Sequence, residues 1–135
     1  MAREFLIQRR VQFSETDLAG VMHFSNYFRW MEEVEHAFLR SLGMSVMQNV
    51  AGIEISWPRV QVSCEYFAPL YFEDVVDVHM TVTDVREKSM TYEATFMKCG
   101  TRTARGRIKM VCCRWQGNKF ESVAIPEEIR SKLVP

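Results

Sequence analysis

One run of apolar residues in this chain recurs at helical spacing, while the other patterned stretches read as strands. Tyr27, Phe28, Met31, Val34, Phe38 and Leu42 fall three and four positions apart, which gathers them on one side of an α-helix. Arg29, Glu33, His36 and Arg40 take the opposite side. Ser25 or Asn26 is the candidate N-cap, because a short polar side chain can accept an orphan N–H of the first turn, so the helix is expected to begin near Asn26. Gly43 ends it, as the residue that most easily adopts the left-handed closing conformation. A lone amphipathic helix needs a broad apolar surface to lie on, and only the strands can supply one.

Strand character runs through Ile53 to Tyr66, Asp74 to Val85, Ser89 to Lys98 and Arg102 to Trp115. In the second of these, Val76, Val78, Met80 and Val82 alternate with Asp77, His79 and Thr81, a clean period of two. Pro58 interrupts the first, where a missing ladder donor predicts an edge or a bulge, with the sheet bending there. Glu87-Lys88 and Cys99-Gly100 are turn signals, and strands joined by short turns are antiparallel. Val11 and Phe13 alternate with Gln12 and Ser14 as the end of an earlier half-buried strand, and Ser45 to Gly52 reads as a connection. Pro126-Glu127-Glu128 opens a short terminal helix, with its acidic residues at the positive end of the dipole.

The expected order is therefore a strand, the long helix and four strands, an α+β architecture. At 135 residues the chain has room for one domain with a real core and not for two ordinary ones, so a single domain over 1–135 is expected. One helix on about five strands leaves apolar surface uncovered, which predicts a homodimer or a larger assembly.

Seventeen basic residues balance seventeen acidic ones, so no net field draws the protein to nucleic acid or an anionic membrane. The N-terminal MAREFLIQRR has only Phe5, Leu6 and Ile7 as an apolar stretch, far short of a signal-peptide core or a membrane span, and a cytoplasmic protein is expected. Cys64, Cys99, Cys112 and Cys113 show no CxxC spacing and no histidines at ligand intervals. Reduced thiols are expected, with neither disulfide nor metal.

Between the first strand and the helix, Asp17 to Gly20 turn the chain and aim a carboxylate at a helix N-terminus. That end carries the equivalent of about +0.5 charge, which favours both a carboxylate and a developing oxyanion. Asp-x-x-Gly also suits a simple turn cap, so the segment by itself leaves both roles open.

The run Phe13-Ser14-Glu15-Thr16-Asp17-Leu18-Ala19-Gly20-Val21-Met22, followed by Ser25-Asn26-Tyr27-Phe28-Arg29-Trp30, resembles the acyl-CoA thioesterases of the 4-hydroxybenzoyl-CoA thioesterase type. Phe67-Ala68-Pro69 with Glu73-Asp74-Val75-Val76 is similar to a later stretch of the same family, so the resemblance covers nearly the whole chain. It implies the hot-dog fold, a five-stranded antiparallel sheet wrapped around one long helix. It also implies hydrolysis of an acyl-CoA, or of an acyl-carrier-protein thioester, with Asp17 attacking the carbonyl or activating a water. The implied oxyanion donor is a backbone N–H near Phe24, where relatives commonly have tyrosine or histidine. No cofactor is implied, since coenzyme A is part of the substrate.

His23, Asn26, Tyr27 and Glu35 are the implied pocket residues, His23 standing where relatives usually carry an aromatic residue. A second branch of hot-dog thioesterases has its catalytic carboxylate in mid-helix, which brings Glu35 or Glu32 forward to assist or replace Asp17. The other reading of Glu35, on the apolar stripe between Met31 and Phe38, is a carboxylate paired across a subunit interface, since burying it unpaired is costly. Arg86 and Lys88 resemble the family's basic turn that meets the nucleotide phosphates, and Arg102, Arg105 and Arg107 are a second basic set. Two other activities remain open: hydration or dehydration of an enoyl or hydroxyacyl thioester by His23 and Asp17, and acyl-CoA binding without catalysis. Self-association as a dimer or a dimer of dimers (a tetramer) completes the expectation.

Overall fold

A computed structural model describes residues 3–134; Met1, Ala2 and Pro135, which the expected domain includes, lie outside the described residues. Strand β1 (Glu4–Arg10) is followed by one 3-10 turn (Phe13–Glu15), helix α1 (Ser25–Ser41) and strands β2 (Gln48–Val50), β3 (Ile53–Ser56) and β4 (Arg59–Tyr66). Then come β5 (Val75–Val85), β6 (Ser89–Lys98), β7 (Thr101–Val111), β8 (Cys113–Gln116), β9 (Lys119–Ser122) and a short helix, α2 (Glu127–Leu133).

The large sheet has five strands in the order β1-β5-β6-β7-β4, every pair antiparallel. Helix α1 lies along one face of it. The alternation in β5 decides which side chains meet the helix: Val76, Val78, Met80 and Val82 are buried, while Asp77, His79 and Thr81 are only partly so. Opposite them α1 buries Tyr27, Trp30, Met31, Val34, Phe38 and Leu39. At Gly106 on β7 a Cβ would overlap the thioether of Met31, so the missing side chain lets helix and sheet close together there. This is the α+β arrangement of five antiparallel strands around one long helix that the sequence pattern predicts.

Four local expectations change. Only Val11 extends the pairing of β1, giving its N–H to the Asp74 carbonyl and accepting from the Glu73 N–H; Phe13 leaves the strand and is exposed. There Glu15 Oε1 accepts the Gln12 N–H at 2.8 Å, a reciprocal cap that favours a helical turn over the alternation. Neither Ser25 nor Asn26 is the N-cap of α1, a position held by Phe24 without a side-chain bond of its own.

Ser45 to Gly52 is more than a connection, since it carries β2, joined to β3 through Ala51 and Gly52, both at positive φ (53° and 84°), as a tight hairpin requires. Finally, the stretch through Pro58 is two strands rather than one, β3 in a second four-stranded sheet ordered β2-β3-β8-β9 and β4 in the large one; the edge and the bulge expected there are both present, since β4 is an edge strand whose register shifts between Arg59 and Gln61. Cys112 makes the same division between β7 and β8.

At its C-terminus α1 closes as predicted. Gly43 (φ 75°) donates to the Arg40 carbonyl and Met44 to that of Leu39, the double bond of a Schellman motif. No helix among the described residues is long and apolar enough to cross a membrane.

Candidate active site

The loop between β1 and α1 is held by one residue, Glu15. Its Oε2 accepts the Trp30 indole N–H at 2.8 Å and the Arg9 guanidinium at 2.9 Å. Its backbone carbonyl accepts the His23 N–H at 2.8 Å and the Asn26 side-chain amide at 2.9 Å. Arg9 also pairs with Glu33 on α1. Two residues beyond Glu15, Asp17 is therefore tied at a set height against the start of the helix.

Asp17 sits half-buried in a tight turn. Its Oδ1 accepts the Ala19 N–H at 2.9 Å and its carbonyl the Gly20 N–H at 2.9 Å, with Gly20 at φ 84°. The turn-cap and attacking roles are thus compatible, because one carboxylate oxygen holds the turn while Oδ2 has no hydrogen-bond partner among the described residues. The Asp17 N–H donates to the Val21 carbonyl, closing the loop across its base.

A helix start leaves its first N–H groups without intrahelical acceptors, and here all but one of those nearest the site find a partner. Ser25 donates to the His23 imidazole Nδ1 at 3.2 Å, Asn26 to the His23 carbonyl at 3.0 Å and Tyr27 to the Phe24 carbonyl at 3.3 Å. The Phe24 N–H has no acceptor among the described residues, and Phe24 and Asp17 line the same cleft.

Two clefts meet at Asp17. One, of about 380 Å³, is walled by Val21, Met22, Phe24, Tyr27, Tyr66 and Phe67. The Tyr66 hydroxyl donates to the Phe24 carbonyl at 3.4 Å and the Tyr66 ring stands edge-on to Tyr27, 4.8 Å between centroids. Burial, ahead of the neighbouring Cys64 thiol, pushes the Tyr27 hydroxyl up to about 12, so both phenols are neutral donors near pH 7. The other cleft, of about 780 Å³, is polar and lined by His23, Ser25, Asn26, Arg29 and Glu32 among others. Arg29 makes no ion pair there among the described residues.

His23, Asn26 and Tyr27 thus gather around Asp17 and Phe24, although Asn26 spends its amide on bracing the loop. Glu35 lies about two turns farther along α1 and lines neither cleft. Fully buried, it pairs within the chain with Arg59 at 2.8 and 3.0 Å and accepts the Tyr92 hydroxyl at 2.8 Å. Burial pushes its carboxyl above the usual range, against the opposing pull of Arg59 and Tyr92. Glu32 is exposed and 3.5 Å from the same guanidinium.

Arg86 and Lys88 sit at the far end of β5, whose other end adjoins the Asp17 loop; 11 residues separate the two by roughly 30 Å. Arg86 is paired with Asp84 at 2.8 Å. Arg102 and Arg105 lie nearer the site, Arg102 over the Phe67 ring at 4.7 Å and Arg105 bonded to Glu65 at 2.8 Å. Arg107 is farther along β7, opposite Ser63 and Glu93.

Glu15, Arg59 and Tyr66 are participants that the sequence reading passed over. Glu15 stands inside the recognised motif, and Arg59 directly follows the strand-breaking Pro58. Among the described residues no group of three or more histidine, cysteine or acidic side chains is disposed to hold a metal ion. The four cysteines are free, and burial pushes the Cys112 thiol up to about 11.

Residues 11–133 match the thioesterase-like superfamily. The chain is 36% identical to a putative esterase of Aquifex aeolicus, over 96% of this chain and 97% of that one. It is 32% identical to a 1,4-dihydroxy-2-naphthoyl-CoA hydrolase of Prochlorococcus marinus, over 81% and 76%. Among solved structures, a gentisyl-coenzyme A thioesterase superposes with a TM-score of 0.79 at 31% identity, covering 93% of this chain and 98% of the other.

Proposed function

The chain belongs to the thioesterase-like superfamily, and from that premise we propose that Asp17 and the Phe24 N–H together cleave an acyl-CoA thioester. The protein is an acyl-CoA thioesterase with the hot-dog fold, releasing a free acid and coenzyme A. The observation that carries the assignment of roles is the unpartnered Phe24 N–H in the cleft it shares with Asp17. A donor waiting at a helix N-terminus stabilises charge that develops only in the transition state, and loss of one such donor typically costs roughly 10²–10³ in rate.

Asp17 Oδ2 works by one of two routes. As a nucleophile it bonds to the acyl carbon and the C–S bond breaks. Coenzyme A leaves as a thiolate that takes up a proton, and water then hydrolyses the mixed anhydride, returning the carboxylate. As a general base it takes a proton from a water that attacks the same carbon. Neither route calls on a cofactor.

The aromatic cleft suits a flat, apolar acyl group, with the Tyr27 and Tyr66 hydroxyls for any polar substituent. The polar cleft suits the amides of the pantetheine arm, with Arg29 as a cation on its wall. Arg86 and Lys88, so far along β5, suit the nucleotide phosphates of a substrate bound to another subunit. The naphthoyl-CoA hydrolase and the gentisyl-CoA thioesterase, by their names, act on aromatic acyl-CoAs, which supports an aromatic acid as the product here.

We infer that one folded unit over 1–135 acts as a homodimer or dimer of dimers in the cytoplasm, because β4, whose Tyr66 walls the cleft, is an edge strand with exposed valines. Hydration of an enoyl thioester would need a free lone pair on His23 as base. Nδ1 already accepts the Ser25 N–H, and the neutral ring then carries its proton on Nε2. The deciding assay follows thiol released from aromatic and aliphatic acyl-CoAs. Release, fastest with the aromatic ones, is expected; consumption of an enoyl-CoA without thiol would overturn the reading.

A further inference from the structure

We propose that His23 is a positioning residue: its neutral imidazole caps the Ser25 N–H of α1 and so leaves the Phe24 N–H as the single free donor facing Asp17. The inference rests on the oxyanion role assigned above and goes beyond it by naming the group that singles out one donor. Three observations carry it. The Ser25 backbone N–H, which can only donate, lies 3.2 Å from Nδ1, and the Ser25 hydroxyl lies 2.8 Å from the same atom. The hydroxyl can turn to donate or accept, but the N–H can only donate, so Nδ1 presents its lone pair and the ring proton sits on Nε2. The ring is also fixed in orientation, stacked on the Phe24 ring at 4.5 Å between centroids.

His23 also ties the segment through its backbone, donating its N–H to the Glu15 carbonyl and accepting the Asn26 N–H on its own carbonyl. Its side chain and main chain thus hold the residues on either side of the Phe24 N–H, and the Phe24 peptide is fixed between them. Without the imidazole, Ser25 would present a second free N–H to the cleft, and the Phe24 peptide could rotate away from Asp17.

The test joins one spectroscopic and two kinetic measurements. Long-range proton–nitrogen correlation of the full chain at pH 7.5 is expected to find His23 protonated on Nε2 and bare on Nδ1; the opposite tautomer overturns the proposal. His23→Leu is expected to lower kcat about tenfold or more with KM little changed. In His23→Asn the Oδ1 atom takes the place of Nδ1 as acceptor. This variant should restore kcat to within about threefold of wild type. An undiminished kcat in His23→Leu, or a kcat in His23→Asn as low as that of His23→Leu, overturns it. Wild-type protein that releases thiol from no acyl-CoA counts instead against the thioesterase reading, and the tautomer measurement still decides the cap.

Discussion

The Asn26 side-chain amide donates to the carbonyl of Glu15, 2.9 Å away across eleven residues of chain, and this bond joins the loop bearing Asp17 to the first turn of the helix bearing Phe24. Asn26 is largely buried, and its loss leaves the Glu15 carbonyl with only the His23 N–H as donor and the loop without its tie to the helix. Asn26→Ala is expected to destabilise the fold by about 1–3 kcal/mol, read as a lowered urea midpoint. It should also lower kcat more than it raises KM, since Asp17 and the Phe24 N–H, the groups proposed to act together, then lose their common brace. A variant equally destabilised at a distant core position should keep its kcat, which separates the local effect from general loosening.

Asp17 holds its own turn with one oxygen and leaves the other unpartnered. Asparagine reproduces the acceptor for the Ala19 N–H and removes only the oxygen proposed to attack, so Asp17→Asn should fold as wild type. Its kcat is expected to fall by about 10²-fold or more while KM stays within a few-fold, as befits a group acting in the transition state. Steady-state thiol release with one aromatic acyl-CoA measures both. A near-normal kcat would transfer suspicion to Glu32 and Glu35.

Glu35 is fully buried and its partner Arg59 only partly so, with Glu32 also beside the guanidinium; breaking a fully buried pair from one side costs about 3–5 kcal/mol, an upper bound here, whereas replacing both partners by apolar side chains is often neutral. Glu35→Ala is thus expected to be strongly destabilising, and Glu35→Met with Arg59→Met to recover most of the loss. The pH dependence has a definite sign. Burial raises the Glu35 carboxyl in the folded chain above its ordinary value of 4.5, so the folded state holds the proton more tightly than the unfolded one. Its contribution is then full below 4.5 and is lost as pH rises through the raised folded value. Urea midpoints measured upward from pH 4 should carry this falling component, and Glu35→Gln should remove it.

The parts of this molecule legible in the sequence are those with a period or a motif. Strands β5 and β6 were readable because their alternation is long and Cys99-Gly100 marks the turn between β6 and β7. The stripe on α1 was readable at Tyr27, Met31, Val34 and Phe38, yet Trp30 and Leu39 are buried as well. A helix lying on a broad sheet buries a wider face than the stripe alone defines. Strands β2 and β9 escaped because three or four residues carry no period, and their pairing is a tertiary event. Asp17 and Phe24 came from the motif around them. The role of Glu15 did not, since its bonds reach Trp30 and Asn26 across fifteen and eleven residues and exist only once α1 has docked. Nor could spacing reveal that Arg86 and Lys88 stand at the opposite end of the sheet from Asp17.

The large sheet ends in two unlike edges. Strand β1 carries Glu4, Arg9 and Arg10 along its length, charges of the kind that discourage edge-to-edge pairing. Strand β4 instead leaves Val60 and Val62 exposed to 57% and 49%, and one row of its backbone groups pairs with no other strand among the described residues. A second copy laid along β4 would cover those valines and stand beside Tyr66, which walls the aromatic cleft. Val62→Lys keeps the extended backbone but sets a charge where the partner strand would lie. It is expected to shift the protein toward monomer in sedimentation at micromolar concentration. Activity should fall with assembly, regaining its wild-type value per chain only at concentrations where the dimer re-forms. A variant that stays fully assembled would place the interface elsewhere, and a fully active monomer would mean that the cleft needs no wall from a second subunit.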